Sequence, residues 1–593
     1  MTEEKREKEK DIYILGISCY YHDAAAALLK NGVIIAAAEE ERFTRKKHDQ
    51  SFPINTINFC MQKAGITPDK ISYVAFYEKP LLKFDRLLMQ HISAYPLSYW
   101  SFYKALPNWI VEKLRIQTTI RKKLKKDGKR FTGEILFIEH HMAHAASSYM
   151  VSPFDEAAIL TVDGVGEWTT TAMGHARGSD IKLTKKIDFP HSLGLLYSAV
   201  TAYLGFKVNN DEYKVMGLAP YGKPVYYEQM KKLIDVKEDG SYALDMSYFS
   251  YHYGMKSITK KFIEEFGPSR KPEAALEQDH KDIAASVQKL LEETLFTILQ
   301  NLHVETKSKN LCMAGGVALN SVANGKITKN TPFKNIFIQP AASDAGTSLG
   351  AALYVWHTLL ENKREYMQTT SAFGPSFTAE EIKEYLGKNN IIYTEYKNVH
   401  EAAKKAAELI HGDQVIGWFQ GAMEWGPRAL GNRSILSNPC NPNMKDILNA
   451  KVKHRELFRP FAPVILQEKV HEWFDIDKDE EPFMLFVYLF KEAKRKIVPA
   501  VVHVDGSGRL QTINKEQNQA YYTVIKEFEK QSGVPILINT SFNIRGEPIV
   551  CTPHDAYRCM MGTGVDYLVM DRFIIARAEN PKDMWNSEKI AKD

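Results

Sequence analysis

The stretch that decides the fold is residues 12–40, IYILGISCYYHDAAAALLKNGVIIAAAEE. Its apolar runs predict a strand, a short polar turn and two further strands. Asn31-Gly32 joins the last two, and Asn-Gly between apolar runs is the strongest short signal for a β-hairpin. Residues 157–188 repeat this plan with AAILTVD, a glycine-rich turn, TTTAMGHA, a second turn and IKLTKKID. The repeat predicts a duplicated ribonuclease-H-like architecture of the actin/hexokinase type, with a cleft between two lobes.

Two histidines and two aspartates form a candidate metal site. The run EILFI predicts a buried strand, and HHMAHAASSYM after it predicts a helix. His140 and His144 are four residues apart and therefore share one helix face, where their imidazoles can hold one ion while His141 points elsewhere. Asp163 ends the first strand of the second copy, and Asp344 precedes a helix in SDAGTSLGAA. Such an N2O2 set suits zinc or non-haem Fe(II). The alternative is a hydrogen-bonded histidine pair beside helix-capping aspartates.

The remaining chain alternates strands and helices, which is typical of an α/β protein. Residues 275–306 predict a long amphipathic helix, and the strand NLCMA then runs into Gly315-Gly316 and a helix, VALNSVANGKI. Residues 366–380 lack apolar periodicity and contain Gly374-Pro375, so we expect a linker there. This divides the chain into a charged, disordered tail (1–11), a first domain (12–365) and a second α/β domain (381–593).

The second domain is conspicuous for arginines in turns that also contain Gly, Pro or Asn. The turns read EWGPRALGNRS, KVKHRELFRPFAP, HVDGSGRLQT and NTSFNIRGEP. Because the guanidinium group presents a rigid fork of donors, such a set favours phosphate or acyl-phosphate binding. Surface ion pairs are the alternative for any single arginine. The chain has no Walker-type or G-x-G-x-x-G phosphate loop, so ATP must be held in another way.

Composition bounds the function classes. The 593 residues carry 77 basic and 72 acidic side chains, and a net charge of +5 is too small to indicate nucleic acid. No apolar run approaches the ~20 residues of a membrane span. The six scattered cysteines lack a C-x-x-C pair and predict reduced thiols. We therefore expect a cytoplasmic protein without membrane or nucleic-acid partners.

Taken in order, the motifs resemble the O-carbamoyltransferases of the nodulation-factor and tobramycin type. They include GISCYYHDAAAALL, AAAEEERFTRKKHD, EHHMAHAASSY, TVDGVGEW, DEYKVMGLAPYG, CMAGGVALN, SDAGTSLGAA, GPRALGNRSIL, FRPFAPVIL and LINTSFNIRGEPIV, and they extend from residue 12 to about residue 577. The resemblance implies a TsaD-like first domain, similar to the tRNA threonylcarbamoyl-transfer enzyme, joined to a YrdC-like second domain.

The resemblance also implies a two-stage reaction. Carbamoyl phosphate and ATP would give carbamoyl-adenylate in the YrdC-like domain, and the carbamoyl group would pass to a hydroxyl of a small molecule at the metal. His140, His144, Asp163 and Asp344 would hold Fe(II), with zinc as the alternative. The implied ligand-binding residues are Gly315, Gly316, Asn320, Glu212 and Lys214 for the adenylate, Arg428 and Arg459 for ATP phosphates, and Arg509 and Arg545 for carbamoyl phosphate.

The acceptor hydroxyl needs a base. His22, with Asp23 beside it on the first turn, is the candidate, because imidazole takes up a proton near neutral pH. A hydrogen bond within the turn is the alternative for His22. Two other functions stay open: a tRNA threonylcarbamoyl transferase-like enzyme and a non-catalytic actin-like ATP-binding module. The acceptor and the oligomeric state, with a homodimer as one option, are left open, and we expect the aromatic segment 81–130 and residues 223–275 to shape the acceptor pocket.

Overall fold

The computed structural model describes residues 11–100, 102–104, 115–254 and 256–581. Two five-stranded sheets form the N-terminal part, and each is covered by helices. The strands of the first sheet are β1 (Tyr13–Ser18), β2 (Ala25–Lys30), β3 (Val33–Glu39), β4 (Ile71–Phe76) and β5 (Glu134–Phe137). Those of the second are β6 (Glu156–Val162), β7 (Thr169–Arg177), β8 (Asp180–Asp188), β9 (Asn310–Ala314) and β10 (Asn335–Ile338).

The two sheets have the same topology. The order is β3-β2-β1-β4-β5 in the first and β8-β7-β6-β9-β10 in the second. In both, the first three strands pair antiparallel and the last two join them in parallel. The predicted hairpin is present: Asn31 and Gly32 both have positive φ (49° and 83°), as a type I′ turn requires. The duplicated two-lobed architecture is therefore confirmed.

Five helices position the site between the lobes: α1 (His140–Tyr149), α2 (Leu193–Tyr203), α3 (Glu212–Leu218), α4 (Gln278–Thr306) and α5 (Asp344–Tyr354). Helix α5 packs against β1 and α1 at two glycines. A Cβ atom at Gly350 would lie 1.8 Å from the Ala143 carbonyl oxygen of α1, and one at Gly16 would lie 1.8 Å from the Ser348 carbonyl oxygen of α5. The backbones touch directly because these positions have no side chain.

The C-terminal part contains a mixed eight-stranded sheet with helices around it, as the predicted second α/β domain requires. Its strands are β11 (Thr394–Glu395), β12 (Ile416–Phe419), β13 (Arg433–Ser437), β14 (Ala462–Leu466), β15 (Gln511–Ile513), β16 (Ile536–Ser541), β17 (Tyr567–Met570) and β18 (Phe573–Ala576). The order is β11-β18-β17-β12-β13-β16-β14-β15. Its main helices are Ala379–Lys388, Val399–His411, Gln519–Ser532 and Pro553–Met561.

Shorter elements complete the described chain. The strands are Lys125–Lys126, Lys129–Arg130, Ile234–Val236, Tyr242–Leu244, Phe474–Asp475, Val487–Phe490 and Ser507–Arg509. The helices are Glu41–Thr44, Ile54–Ala64, Pro80–Ser93, Ile116–Lys123, Tyr227–Met230, Lys260–Phe266, Ser321–Asn324, Ile327–Asn330, Met444–Ile447, Val470–Trp473 and Glu492–Arg495. Within the described ranges, no helix has the length and apolarity needed to cross a bilayer.

The segment VALNSVANGKI was expected to form one helix, but it forms a 3₁₀ turn (Gly316–Leu319) followed by a single helical turn that Asn320 caps. The reason is local, because an asparagine side chain that bonds a following amide starts a new helix instead of continuing one. Of the expected tail, residues 1–10 lie outside the described residues. The domain boundaries, including the linker at 366–380, stay predictions.

Candidate active site

Four predicted ligands meet between the two lobes. His140 and His144 lie on the first two turns of α1, Asp163 directly follows β6, and Asp344 begins α5. Their candidate ligand atoms all lie within 4.8 Å of one another, and all four residues are buried. The direct contact of α5 with α1 at Gly350 brings Asp344 to the histidines. The structure therefore groups the four residues that the sequence singled out.

The spacing of these atoms fits a shared cation. The two Nε2 atoms are 3.1 Å apart. Asp163 Oδ2 is 3.2 Å from His140 Nε2, and Asp344 Oδ1 is 3.6 Å and 3.7 Å from the Nε2 atoms of His140 and His144. Donors about 2.1 Å from one ion, at angles of 90–110°, lie about 3.0–3.4 Å apart. The two Nε2 atoms and Asp163 Oδ2 next to His140 have this spacing, whereas the contacts of Asp344 and the 3.9 Å from Asp163 Oδ2 to His144 Nε2 are slightly longer. Both carboxylate oxygens of Asp344 are buried without a hydrogen-bond partner, which also fits a ligand role.

The charges of the cluster depend on one another. Burial opposes the charged form of His144, but the nearby carboxylates of Asp163 and Asp344 outweigh this and raise the pKa of His144 to about 9. Burial likewise opposes ionisation of Asp163, but His140 and His144 hold the pKa of Asp163 well below its usual range. Two carboxylates and two imidazoles in one buried site thus attract a positive charge, either protons or a metal ion.

His141 has a different task. Its Nε2 donates to the Thr169 carbonyl oxygen at 2.9 Å, and its Nδ1 lies 2.7 Å from Thr161 Oγ1. Burial and the neighbouring histidines hold the pKa of His141 well below its usual value. The neutral ring therefore links α1 to β6 and β7, and it faces away from the candidate ligands, as the helix spacing predicted.

The candidate base stands next to this cluster. His22 Nδ1 is 3.1 Å from Asp23 Oδ2, and His22 Nε2 is 4.0 Å from Asp344 Oδ2. Burial lowers the pKa of His22, but the carboxylates of Asp344 and Asp23 outweigh it and raise this pKa to about 10. Since Nδ1 faces Asp23, the turn presents Nε2 to the cluster.

One cavity of about 450 Å³ runs from this turn into the C-terminal domain. Of the predicted residues, those that line it are His22, Asp23, Asp163, Glu212, Gly316, Asn320, Arg428, Arg459, Arg509 and Arg545. His140, His144 and Asp344 lie behind the wall, although Ser343 and Ala345 on either side of Asp344 line it. The same cavity therefore borders the cluster of four candidate ligands, through Asp163 and the neighbours of Asp344, and also the arginine-containing turns.

The far end of the cavity is strongly cationic. Burial, together with the charges of Arg428, Arg455 and Arg459, holds the pKa of Arg509 well below its usual value. Burial, and also the charge of Arg459, lowers the pKa of Arg428 to about 10 although Tyr213 opposes this. The Nε atoms of Arg428 and Arg509 are buried without partners. Guanidinium groups that repel one another in a partly buried site can be stabilised by an anion with several negative charges.

Some predicted residues have structural partners instead. Lys214 does not line the cavity; it is buried and pairs with Asp211 at 2.9 Å and Glu456 at 3.2 Å. Gly315 also lies outside the lining, and its φ of 97° lets the chain pass the Val162 carbonyl, which a Cβ atom would approach to 2.2 Å. Asn320 does line the cavity, but its side chain caps a helix and bonds Gln288.

Arg433 shows why an arginine in a glycine-containing turn is a weak signal. Its guanidinium group donates to the carbonyl oxygens of Gln420 and Pro375 and lies 3.7 Å from the centre of the Phe419 ring. The side chain is fully buried and does not line the cavity. Arg433 is therefore a structural residue.

Other lining residues were not assigned to the site from the sequence. Arg455 and Lys453 lie in the motif KVKHRELFRP and add positive charge to the same end. Lys453 Nζ also binds Asn543 Oδ1 at 2.9 Å and so holds the turn that carries Arg545. His503 lines the cavity too, and burial lowers its pKa to about 4 although Asp505 opposes this. For Arg455 and Lys453, the basic run in this part of the sequence was the signal that could have identified them.

Two protein-family models match this chain. The model "Carbamoyltransferase N-terminus" matches residues 13–353, and "Carbamoyltransferase C-terminus" matches residues 407–577. An uncharacterized protein of Synechocystis sp. is 48% identical over 97% of this chain and 99% of its own length. The nodulation protein NolNO of Sinorhizobium fredii is 37% identical over 92% of this chain and 77% of its own length.

Among solved structures, component A of the (R)-2-hydroxyglutaryl-CoA dehydratase of Acidaminococcus fermentans aligns with 59% of this chain and 99% of its own, at 13% identity and a TM-score of 0.32. That score is too low to add to the fold assignment, which rests on the strand order. The family models together extend over both domains, and they identify an enzyme instead of a non-catalytic actin-like ATP-binding module. The chain therefore belongs to the carbamoyltransferase family, and it is an enzyme that transfers a carbamoyl group.

Proposed function

We propose that this carbamoyltransferase is ATP-dependent, forms carbamoyl-adenylate and passes the carbamoyl group to a hydroxyl of a small molecule. The first stage consumes carbamoyl phosphate, ATP and one water, and it releases phosphate and pyrophosphate. In the second stage the acceptor oxygen attacks the carbamoyl carbon, the bond from that carbon to the AMP oxygen breaks, and AMP leaves. Adenylation is useful because carbamoyl is a poor electrophile and AMP is a good leaving group.

The observation that carries this proposal is the single cavity that joins the cationic end to the His22 turn. An activated carbamoyl group made at one end can reach the other within the same cavity, without being released from the protein. A cavity of about 450 Å³ suits a nucleotide and a small acceptor. The net charge of +5 on 593 residues gives no support to a tRNA acceptor.

At the cationic end, Arg428, Arg455, Arg459 and Arg509 bind the phosphate groups. Binding an anion there relieves the repulsion that lowers the pKa of Arg509 and gives partners to the unpaired Nε atoms. The same groups stabilise the negative charge that develops on the departing pyrophosphate. Arg545 already pairs with Glu273 at 2.7 Å, so it must exchange this partner for an anion in order to act.

At the other end, His140, His144, Asp163 and Asp344 would hold Fe(II) or zinc. When bound, such an ion supplies a Lewis acid that polarises a carbonyl oxygen. His22 takes the proton from the acceptor hydroxyl at Nε2, while Asp23 holds the hydrogen on Nδ1. The carboxylates of Asp344 and Asp23 raise the pKa of His22, so the imidazole would act as a base when the charge of Asp344 is balanced by a bound cation.

Two assays test the two stages separately. The purified protein with ATP is expected to release pyrophosphate only when carbamoyl phosphate is added, and mass spectrometry of a metabolite extract is expected to show one compound that gains a carbamoyl group. Removing bound metal with a chelator is expected to stop the gain of the carbamoyl group and to spare pyrophosphate release. Release that needs threonine and bicarbonate instead of carbamoyl phosphate would contradict the proposal.

A further inference from the structure

Residues 39–48, EEERFTRKKH, form a segment of the first domain that also contacts the second, and we call it the bridging segment. It leaves the end of β3 and contacts the C-terminal domain at two of its functional turns. Arg42 Nη2 donates to the Gly426 carbonyl oxygen at 2.9 Å, two residues before Arg428. The two Nη atoms of Arg45 donate to the carbonyl oxygens of Pro548 and Ile549, both at 2.7 Å.

The last residue of the bridging segment, His48, turns back to the candidate base. His48 Nδ1 is 2.7 Å from Asp23 Oδ1, and the other oxygen of the same carboxylate, Oδ2, is 3.1 Å from His22 Nδ1. On its far side, His48 Nε2 is 2.7 Å from Asn210 Oδ1. The Glu41 carboxylate accepts from the backbone amide of His48 at 2.8 Å and fixes the loop that presents the ring.

The orientation of the Asn210 amide decides what His48 donates. Asn210 Nδ2 donates to Asp211 Oδ1 at 2.8 Å, and Asp211 Oδ2 is paired with Lys214 at 2.9 Å. Asn210 therefore presents its carbonyl oxygen to His48, and Asp23 presents a carboxylate oxygen. Because both partners are acceptors, the His48 ring donates through both nitrogen atoms. Asp23 thus receives one N–H from each of two histidines.

We propose that His48 is a positioning residue for carbamoyl transfer: it holds the Asp23 carboxylate in the orientation that keeps the hydrogen of His22 on Nδ1 and Nε2 directed at Asp344. This inference rests on the proposed role of His22 as the base. Asp23 needs such support because its backbone lies in the left-handed region, with φ 51°. Without a bond to Oδ1, the carboxylate can rotate away from His22.

Asp23, Glu41 and His48 are also close enough to hold a metal ion. The contacts favour the positioning role instead. Glu41 already accepts from the His48 amide and pairs with Arg42 at 3.2 Å, and both ring nitrogens of His48 face oxygen acceptors. Arg42 is a buried cation that already pairs with the Glu41 carboxylate. Its positive charge would repel a metal ion bound at the same carboxylate.

A matched pair of substitutions separates the two bonds of His48. In His48→Asn the side-chain amide nitrogen replaces Nδ1 and keeps the donor to Asp23, whereas in His48→Gln it replaces Nε2 and keeps only the donor to Asn210. We expect His48→Gln to lower kcat for carbamoyl transfer about tenfold or more and to leave KM for the acceptor within about twofold. His48→Asn is expected to stay within about threefold of the parent protein in both parameters.

Carbamoyl-phosphate-dependent pyrophosphate release and metal content per chain serve as controls, and both are expected to be unchanged in the two variants. Equal losses in His48→Asn and His48→Gln, or full transfer activity in His48→Gln, would overturn the positioning role. Loss of one metal ion per chain in both variants would identify a second metal site instead. His22→Ala is measured in parallel: if it transfers at the full rate, the role of His22 has failed, whereas a slow His22→Ala beside a fast His48→Gln refutes only this inference.

Discussion

Residues at the two ends of the cavity are expected to affect different half-reactions. Substitution of His22 tests this most directly. Its Nε2 lies 4.0 Å from Asp344 Oδ2, beside the candidate cation site. We predict that His22→Ala lowers carbamoyl transfer about a hundredfold or more and leaves pyrophosphate release within about twofold, since a positioned base contributes ~10²–10⁴ to rate. The exposed His175→Ala is the control. Transfer at the full rate in His22→Ala would show that another group accepts the proton.

His503 predicts a pH dependence of stability. Burial lowers the pKa of His503 to about 4, and an unfolded histidine has a pKa of about 6.5. Between these values the unfolded chain binds a proton that the folded chain does not, so this group reduces the free energy of unfolding as pH falls from 6.5 to 4. Because the residue keeps some contact with solvent, we expect an effect of roughly 2 kcal/mol.

Denaturant unfolding of His503→Gln at pH 7 and pH 4.5 measures this effect. The variant is expected to lose less stability than the parent protein over that interval, because glutamine takes up no proton in either state. His175→Gln, at an exposed position, is expected to follow the parent protein. An identical loss in all three proteins would mean that His503 is protonated in the folded state.

At the scale of elements, the contact between α1 and α5 determines whether the four candidate ligands meet. A Cβ atom at Gly350 would lie 1.8 Å from the Ala143 carbonyl oxygen and 2.8 Å from the Ser147 amide nitrogen. We predict that Gly350→Ala forces the helices apart, lowers the free energy of unfolding by about 3 kcal/mol and reduces the metal content per chain. Thermal unfolding and elemental analysis of the purified protein measure the two effects.

Gly387→Ala is the matched control, because this helical glycine has nothing within 4 Å of the added Cβ. There alanine reduces the conformational freedom of the unfolded chain, and we expect stability to rise by about 0.5–1 kcal/mol with the metal content unchanged. If Gly350→Ala were as stable as Gly387→Ala, close helix contact would not be what groups the ligands.

The elements that could be predicted from the sequence are those with local causes. The hairpin at Asn31-Gly32 follows from two positive φ angles, and the four candidate ligands each lie at the start of a helix or the end of a strand. Lys214 was expected to face the cleft, but in the structure it pairs with Asp211 of the first domain and with Glu456 of the second. Long-range pairing of this kind, like the contacts of Arg45 with residues 548 and 549, leaves no periodic signal in the chain.

The same limit applies to the acceptor. The aromatic segment 81–130 and residues 223–275 were expected to shape its pocket, yet none of their described residues lines the large cavity. Instead the lining near His22 comes from Tyr21, Tyr197 and Ser198, which lie on the first turn and on α2. Composition marks a segment as unusual, but only the three-dimensional path of the chain decides which space it borders.

At the scale of the whole molecule, the cationic end of the cavity is expected to favour anion binding while it lowers the stability of the ligand-free protein. Arg428, Arg455, Arg459 and Arg509 come from three separate turns, and folding brings their charges together in a partly buried place. The four guanidinium groups therefore repel one another in the folded protein, and a bound anion would reduce this repulsion. A buried charge without a partner opposes folding, so its removal is expected to stabilise the ligand-free protein while it weakens ligand binding.

Arg509→Gln tests this opposition. In the absence of anions we expect the variant to be more stable than the parent protein by about 1 kcal/mol, since it loses a repelled and partly desolvated charge. Pyrophosphate at a hundred times its dissociation constant should stabilise the parent protein by about 2.7 kcal/mol. The same concentration should stabilise Arg509→Gln much less, because the affinity of the variant for the anion is lower. Thermal unfolding with and without pyrophosphate measures both effects, and Arg177→Gln, at an exposed position, should behave as the parent protein does. A variant that is less stable without anions and equally stabilised by pyrophosphate would show that Arg509 supports the fold and does not bind the ligand.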